Sequence, residues 1–388
     1  MISKIIEYSA RNKFIIFLLI FFLSAWGYWA LKNTPLDAIP DLSDTQVIIY
    51  TEWPGRSPDL VEDQVTYPIT STLLAAPKVQ VVRGFSFLGS SFIYAIFEEG
   101  TDIYWARSRV LEYLQAVKNK LPADVNPVLG PDATSVGWGF SYAVVDETGQ
   151  NDLSELRSVQ DWNIKLALES VQGVSQVASV GGFVKQYQIT VDPNKLLFYN
   201  IPIQKIMQAV RKSNSDVEGR VLEFSGVEYM VRGRGYIRSV SDIENIAVDS
   251  NSGTPVFLKD IASVQLGPEI RRGLADLDGK GEVAGGIVIV RFGENVLNVI
   301  EKVKDKIKKE IEPSLPKGVK IITTYDRSDL ILRSIDTVRE EIIKLSVAVS
   351  VVCIVFLFHL PSALVVILTL PFAIVISFIC MYYLNVTS

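Results

Sequence analysis

The sequence predicts a membrane protein whose α-helical spans bracket a large α+β block outside the bilayer. Three observations predict it. An uncharged apolar run lies near the N-terminus, and a second of about forty residues lies near the C-terminus. Between them, strand and helix patterns recur in one order. The bulk composition agrees. Of 388 residues, 48% are hydrophobic and the mean hydropathy is +0.26, between a typical soluble enzyme and an all-membrane protein. The length suits two or three domains. A formal net charge of −5 gives no electrostatic reason to expect nucleic acid as a partner.

The first run, FIIFLLIFFLSAWGYWAL from Phe14 to Leu31, has 18 residues and no charge. That is enough to cross a hydrocarbon core of roughly 30 Å. Trp26, Tyr28 and Trp29 cluster near its far end, where aromatic rings favour the interface. A signal peptide is the rival reading, but the run is long and no A-x-A-like site follows it. From Leu345 to Leu384 no Asp, Glu, Lys or Arg occurs. Pro361 in HLPSA punctuates this stretch, so it reads as a helical hairpin over about 343–360 and 362–384 in contact with membrane lipid. Lys4, Arg11 and Lys13 precede the first span and Lys32 alone follows it, which favours a cytoplasmic N-terminus. Arg339 and Lys344 beside the second span run against that bias.

The block between opens with the strand-type run Val47 to Tyr50 and a Pro54-Gly55 turn. Ser57 suits a helix N-cap, Pro58 the first helical position and Asp59 the helix dipole. Val61, Val65, Ile69 and Leu73 then share one face, and Pro68 is expected to kink the helix or end its first half. Strand runs at Val79–Phe87 and Ser90–Phe97 meet at Leu88-Gly89. Thr101-Asp102 caps a helix facing inward through Ala106, Val110, Leu114 and Val117, and Gly139–Val145 closes a βαββαβ, ferredoxin-like unit. The pattern roughly recurs: a helix at about 153–171, strands at 174–180 and 185–192, and short helices near 193–214. A strand at Gly285–Phe292, a helix through Val296, Ile300, Val303 and Ile307, and a strand at Val319–Tyr325 follow. A β-rich segment at about 216–265 looks inserted. LPADVNP (121–127) and LPKG (315–318) occupy corresponding places in the two halves.

Several stretches closely resemble the heavy-metal-efflux branch of the RND (resistance–nodulation–division) exporters, the CusA/CzcA-like proteins. They are TPLDAIPDLSDTQVIIYTEWPGRSPDLVEDQVTYPI (34–69), EEGTDIYWARSRVLEYL (98–114), LGPDATSVGWGFSYAVVD (129–146), LRSVQDW (156–162), VASVGGFVKQYQITVDP (177–193), GPEIRRG (267–273) and TTYDRSDLI (323–331). The resemblance implies a homotrimeric, proton-driven inner-membrane pump that exports heavy-metal cations with a periplasmic adaptor and an outer-membrane channel. Its fold would be α-helical spans plus a periplasmic α+β part, with ferredoxin-like porter subdomains and an inserted β-rich docking subdomain. On that reading 1–32 is the cytoplasmic N-terminus and first span, and 33–147 the first porter subdomain. The second porter subdomain is 148–215 with 266–330, and the docking subdomain is 216–265. A connector at 331–342 leads to the second and third spans at 343–360 and 361–384, and 385–388 ends the chain. The proton-carrying carboxylates of the family sit in a fourth span, so none is expected here. The chain is expected to be roughly the first third to half of a pump, as a truncated form, a fragmentary gene product or one half of a split protein. The rival functions are an RND exporter of organic compounds and a non-transporting, membrane-anchored periplasmic scaffold or binding protein.

Candidate sites each have a plainer reading. Asp37, Asp41 and Asp44 could attract cations, but a solvated loop fixed by Pro35 and Pro40 suffices. Cys353, Cys380 and Met381 could be soft ligands for Cu(I) or Ag(I), yet the cysteines fall in different helices and serve as apolar filler. Met207 shares a stripe with Ile203, Ile206 and Val210 and is expected in a core, and Met230 is the other internal methionine of the block. His359, the single histidine, sits beside a proline at the hairpin turn as an interfacial polar residue. Arg232, Arg234 and Arg238 alternate along a strand-like stretch, either as a solvated face or against a neighbouring protomer's acidic surface. VGG (180–182) and AGG (284–286) are tight backbone points, since no phosphate-binding Lys-Ser/Thr follows. No Ser/His/Asp or Cys/His set exists, so no catalytic or cofactor-binding residue is nominated, no enzyme is expected, and the metal ligands stay unassigned.

Overall fold

Burial alternates along the first strand, and that alternation sets the first sheet. The computed structural model describes residues 8–9, 11–33, 41–251, 253–271, 273–357 and 360–384. Helix α1 (Lys13–Asn33) precedes strand β1 (Gln46–Glu52), where Val47, Ile49 and Thr51 are buried, Gln46, Ile48 and Tyr50 are half-buried and Glu52 is exposed. Helix α2 (58–73) begins at Ser57, which adopts the extended N-cap backbone without making a side-chain capping bond. Pro68 does not end this helix. The preceding turn, Glu62–Thr66, is wound as a π turn, with the Tyr67 N–H reaching the Glu62 carbonyl. The wider turn accommodates a proline that lacks an N–H and crowds the carbonyl four residues back. Strands β2 (Val79–Phe87) and β3 (Ser90–Phe97) form a hairpin, with Gly89 at φ +70°. Asp102 caps helix α3 (Ile103–Val117) by accepting the Trp105 N–H at 2.7 Å. Val61, Val65 and Ile69 of α2 and Ala106, Val110 and Leu114 of α3 pack on Ile49, Ile93 and Phe97. Strand β4 is only Val128–Leu129, and the sheet order is β2-β3-β1-β4.

That short β4 corrects the sequence reading. Gly139–Val145 does not close the first unit. It lies in β5 (Trp138–Asp146), an inner strand of the second sheet. Pro127, Gly130 and Pro131 confine β4 to two residues, too few to register as a strand in the sequence. Helix α4 (153–169) repeats the device of α2, with a π turn over Gln160–Ile164. Strand β6 (Val174–Gly181) follows.

The chain then enters an inserted unit. It contains β7 (Lys185–Val191), α5 (Pro193–Tyr199), α6 (Ile203–Ser213), β8 (Val217–Phe224), β9 (Val227–Gly233), α7 (Val240–Glu244), β10 (Ala247–Asn251), β11 (Thr254–Phe257), α8 (Leu258–Ile261) and β12 (Ala262–Pro268). β7 pairs along its whole length with β12, from Lys185↔Pro268 to Val191↔Ala262. Ile201, Ile206, Ile243, Ile246, Leu258 and Ile261 form its core. The compact unit comprises 149–158 and 181–284, wider than the 216–265 read from the sequence. The partner of β7 lies more than seventy residues away, and no local pattern announces such a pairing.

The remaining strands complete the second sheet. Strand β13 (Ala284–Val290), helix α9 (296–311) and β14 (Val319–Asp326) give the order β6-β13-β5-β14. Position for position this is the order of the first sheet, so the weak sequence repeat is a repeat of topology. β14 runs straight into α10 (Arg327–Leu357), a 31-residue helix. The sequence reading began the second apolar helix at 343 and treated 331–342 as a connector. No Gly or Pro interrupts 327–357, so the helix starts at the sheet. Arg327 is 2% exposed and donates through Nη1 to the Val136 carbonyl. Asp326 accepts the Ser328 N–H at 2.9 Å and pairs with Lys304 of α9. Burial pushes the Asp326 carboxyl up, but Lys304 and Ser328 outweigh it and hold it below the usual carboxylate range.

Helix α11 (Leu360–Tyr383) packs against α1. Trp26 meets Tyr383 edge-on at 5.8 Å between ring centroids, and Trp29 meets Tyr382 at 5.1 Å. Gly27 is buried between them, and a Cβ there would stand 2.3 Å from Val375 Cγ1 and 2.5 Å from its carbonyl oxygen. Among the described residues one helix, over Lys13–Leu31, is long and apolar enough to cross a membrane, and Pro371–Tyr383 is a shorter apolar stretch.

Candidate functional site

Three kinds of polar contact stand out: a joint between the two sheets, buried contacts under the π turns of α2 and α4, and the base of the inserted hairpin. The joint centres on Asp132, in the loop between β4 and β5. Its carboxylate lies 2.9 Å from Arg291 Nε, just past β13, and accepts the Ser175 hydroxyl of β6. The Tyr104 hydroxyl of α3 reaches it at 3.4 Å. Arg107 of α3 donates to the Gly130 carbonyl at 2.8 Å, and the Phe292 N–H donates to the Asp132 carbonyl at 2.9 Å. One loop therefore holds α3 of the first repeat against β6 and β13 of the second. Burial pushes the Asp132 carboxyl up. The Ser175 hydrogen bond and the Arg291 and Arg107 charges outweigh it and hold the group below the usual range. Burial and the Asp132 charge raise the Tyr104 hydroxyl, so it stays a donor. A carboxylate committed in this way fastens the repeats and is not available to a cation.

Under the second π turn, Gln160 is fully buried and accepts the Tyr142 hydroxyl at 2.9 Å. Its amide also donates to the Ser179 hydroxyl at 3.3 Å. Burial drives the Tyr142 hydroxyl far above its ordinary value, leaving it a permanent donor. Gly286 makes room for that phenol, since a Cβ would lie 2.4 Å from its oxygen. Under the first π turn, Thr66 meets the Ser86 and Ser91 hydroxyls, each at 2.8 Å. In both repeats the widened turn lowers a polar side chain onto the strands beneath. The sequence reading missed both; a polar residue at an otherwise apolar helix position was the available signal.

β8 and β9 form a hairpin whose described side chains are almost all exposed, Val221, Leu222, Phe224 and Met230 among them. Its two-residue loop has Ser225 at φ +52° and Gly226 at φ +78°, the geometry that suits hairpin twist. At the base, the Asp216 carboxylate lies 2.9 Å from Arg232 Nε and accepts the Gly235 N–H at 3.0 Å. Those contacts, led by the Gly235 bond, hold Asp216 below the usual carboxylate range.

The residues singled out from sequence scatter. Asp37 and His359 lie outside the described residues. Asp41 and Asp44 are exposed, and Asp41 accepts the Ser43 N–H at 3.0 Å. Cys353 falls in α10, while Cys380 is exposed and Met381 half-buried on α11. Met207 is 50% exposed, which corrects its assignment to a core; of its stripe Ile206 alone is buried. Met230 is 80% exposed on the hairpin. Arg232 is ion-paired, whereas Arg234 and Arg238 line a cleft beside it. Val180 to Gly182 and Ala284 to Gly286 are tight backbone points: a Cβ on Gly181 would lie 2.1 Å from the Val283 carbonyl oxygen, and one on Gly285 2.3 Å from that of Tyr142. Among the described residues no group of three or more His, Cys, Asp and Glu is placed to hold a metal ion.

Two four-stranded sheets of one strand order stand behind an apolar N-terminal helix. The sequence matches the AcrB/AcrD/AcrF family over residues 5–388. This chain belongs to that family. The resemblance to the RND heavy-metal-efflux branch, read from the motifs, holds. The putative cation efflux system protein SilA of Salmonella typhimurium is 53% identical over 99% of this chain and 36% of its own length. The cation efflux system protein CusA of Escherichia coli K12 is 51% identical over 99% of this chain and 37% of its own. The cobalt-zinc-cadmium resistance protein CzcA of Cupriavidus metallidurans is 34% identical over 97% of this chain and 36% of its own. A crystal structure of a heavy metal efflux pump superposes with a TM-score of 0.88 at 31% identity, over 97% of this chain and 38% of that one. This chain therefore spans little more than a third of the length of these relatives.

Proposed function

We propose that this chain is the N-terminal part of a proton-driven exporter of heavy-metal cations in the bacterial inner membrane, and not an enzyme. The observation that carries the reading is the 51–53% identity, over 99% of the chain, to two cation efflux proteins. Its N-terminus is cytoplasmic. α1, the apolar end of α10, and α11 are its first three spans, and the block between lies in the periplasm. The two ferredoxin-like repeats are porter subdomains forming one side of the transport path, and alternating access proceeds as a population shift among their arrangements. The inserted unit is the docking subdomain. Its exposed hairpin joins neighbouring protomers of a homotrimer, and a periplasmic adaptor and an outer-membrane channel complete the path. The proton-carrying carboxylates lie outside this sequence, because none of the three spans has one. The cargo is a heavy-metal cation of the copper/silver or the zinc/cobalt/cadmium class, as the names of the cation efflux and cobalt-zinc-cadmium resistance relatives suggest.

The test is growth of a strain deleted for the gene and complemented with its complete reading frame. Restored tolerance to a cation of the copper/silver or zinc/cobalt/cadmium class, with no change in tolerance to cationic dyes, is the expected result. Protection against dyes without protection against metal contradicts the proposal.

A further inference from the structure

The three arginines of the hairpin segment are not equivalent. Arg232 is spent on Asp216. Arg234 and Arg238 are both exposed, and among the described residues neither guanidinium makes an ion pair or a hydrogen bond. Both line a cleft of about 460 Å³ at the foot of β8 and β9. Tyr236 forms part of the wall with its ring exposed, and Ser213 and Asn245 supply further polar groups. A volume of that size lies within the roughly 300–1,000 Å³ typical of binding pockets.

The acids around the cleft are already occupied. Asp242 accepts the N–H groups of Arg238 and Ser239 at 3.0 and 2.9 Å and closes the capping box of α7. Asp216 holds Arg232 and the Gly235 N–H. Asp249 pairs with Lys205, and Asp260 accepts the Phe257 N–H at 2.8 Å. Lys259 reaches Asn245 Oδ1 at 3.0 Å, which brings a third cation to the edge. Asp242 stands in the cleft wall and its charge is met in part by Arg238, so the lining sets Arg234 and Arg238 against a single carboxylate and keeps a cationic surplus. Guanidinium forks beside an exposed phenol suit carboxylates presented on a chain.

We propose that the cleft bounded by Arg234, Tyr236 and Arg238 is a docking site for an acidic peptide segment of a partner polypeptide. The two guanidiniums grip successive carboxylates, while Tyr236 packs against the aliphatic stem between them. This goes beyond the hairpin's role in joining protomers, and it stands whether or not the chain exports metal.

The experiment uses the full chain in detergent micelles at about 50 mM salt, a condition that favours exposed charge contacts. The probe is fluorescein-labelled hexaglutamate, read by fluorescence anisotropy, with hexaserine as the neutral comparison. Arg234→Ala with Arg238→Ala is expected to weaken hexaglutamate binding at least tenfold. The corresponding pair of Lys substitutions, which keep charge but lose the fork, is expected to weaken it two- to threefold. Arg83→Ala, an exposed arginine on β2, is expected to leave it unchanged. Far-UV circular dichroism matching the parent establishes that the variants are folded. A photocrosslinking residue in place of Tyr236 is expected to capture the labelled hexaglutamate. Equal binding by the alanine pair, equal binding of hexaserine, or loss of the same size in Arg83→Ala overturns the proposal.

Discussion

Asp132 and Arg291 meet across the joint between the two sheets, with the carboxylate 2.9 Å from Nε. Arg291 is partly exposed, so the pair is worth less than a fully buried one. Asp132→Asn is expected to cost about 1.5 kcal/mol and to lower the unfolding midpoint by about 3 °C. Because the folded state depresses this carboxyl, its contribution is fully present at neutral pH. It declines once pH falls below about 4, the ordinary carboxylate value, and is lost as pH drops through the lower value of the folded state. Thermal unfolding of parent and variant from pH 7 to 3 checks this: the two midpoints should converge at the acid end.

Gly27 and Val375 set the approach of α1 to α11. Any side chain at 27 meets the Val375 carbonyl, which cannot swing aside. Gly27→Leu is therefore expected to part the helices, at a cost of about 1–3 kcal/mol or more. The measurement is crosslinking by a short bismaleimide between cysteines replacing Trp26 and Tyr383, with Cys353 and Cys380 changed to Ser. The yield should fall severalfold with Gly27→Leu and persist with Phe17→Leu, an exposed position on α1.

Tyr142→Phe removes the hydroxyl that Gln160 accepts and strands a buried carbonyl, which should cost about 2 kcal/mol. Replacing both partners, as Tyr142→Phe with Gln160→Met, should recover much of that loss, since no polar atom is then left unpaired. Chemical denaturation of both variants decides it. A double variant less stable than the single one would show that Gln160 acts mainly through another contact.

Asp216 ties Arg232 and Gly235 to the foot of the hairpin. Asp216→Ala is expected to loosen the hairpin without unfolding the inserted core, which rests on Ile201, Ile206, Ile243 and Leu258. Brief trypsin treatment should nick the chain near Arg232 several times faster, while the unfolding midpoint moves by less than about 2 °C.

Local chemistry was legible in the sequence, and long-range pairing was not. The cap at Asp102 and the apolar face of α3 follow from spacing alone, and Ala106, Val110, Leu114 and Val117 are all buried. The repeat could be read from element order. Its true phase could not, because β4 is two residues long and the next visible strand belongs to the other sheet. The extent of the insertion depends on β7 finding β12, and neither strand announces the other. Met207 followed a helical stripe, but α6 buries only Ile206 of it, since periodicity marks a face and not what covers it. Asp132 was in view within LGPDATSV; its role needed Arg291, 159 positions on, to be placed beside it.

On the proposed reading, a lipid-anchored N-terminus places the α/β block on the far side of the membrane from the cytoplasm. Met230→Cys, at an exposed hairpin position in a background where Cys353 and Cys380 are serine, tests it most directly. A membrane-impermeant maleimide applied to intact spheroplasts should label this cysteine without permeabilisation. Labelling only after the membrane is opened would place the block in the cytoplasm and contradict the exporter reading.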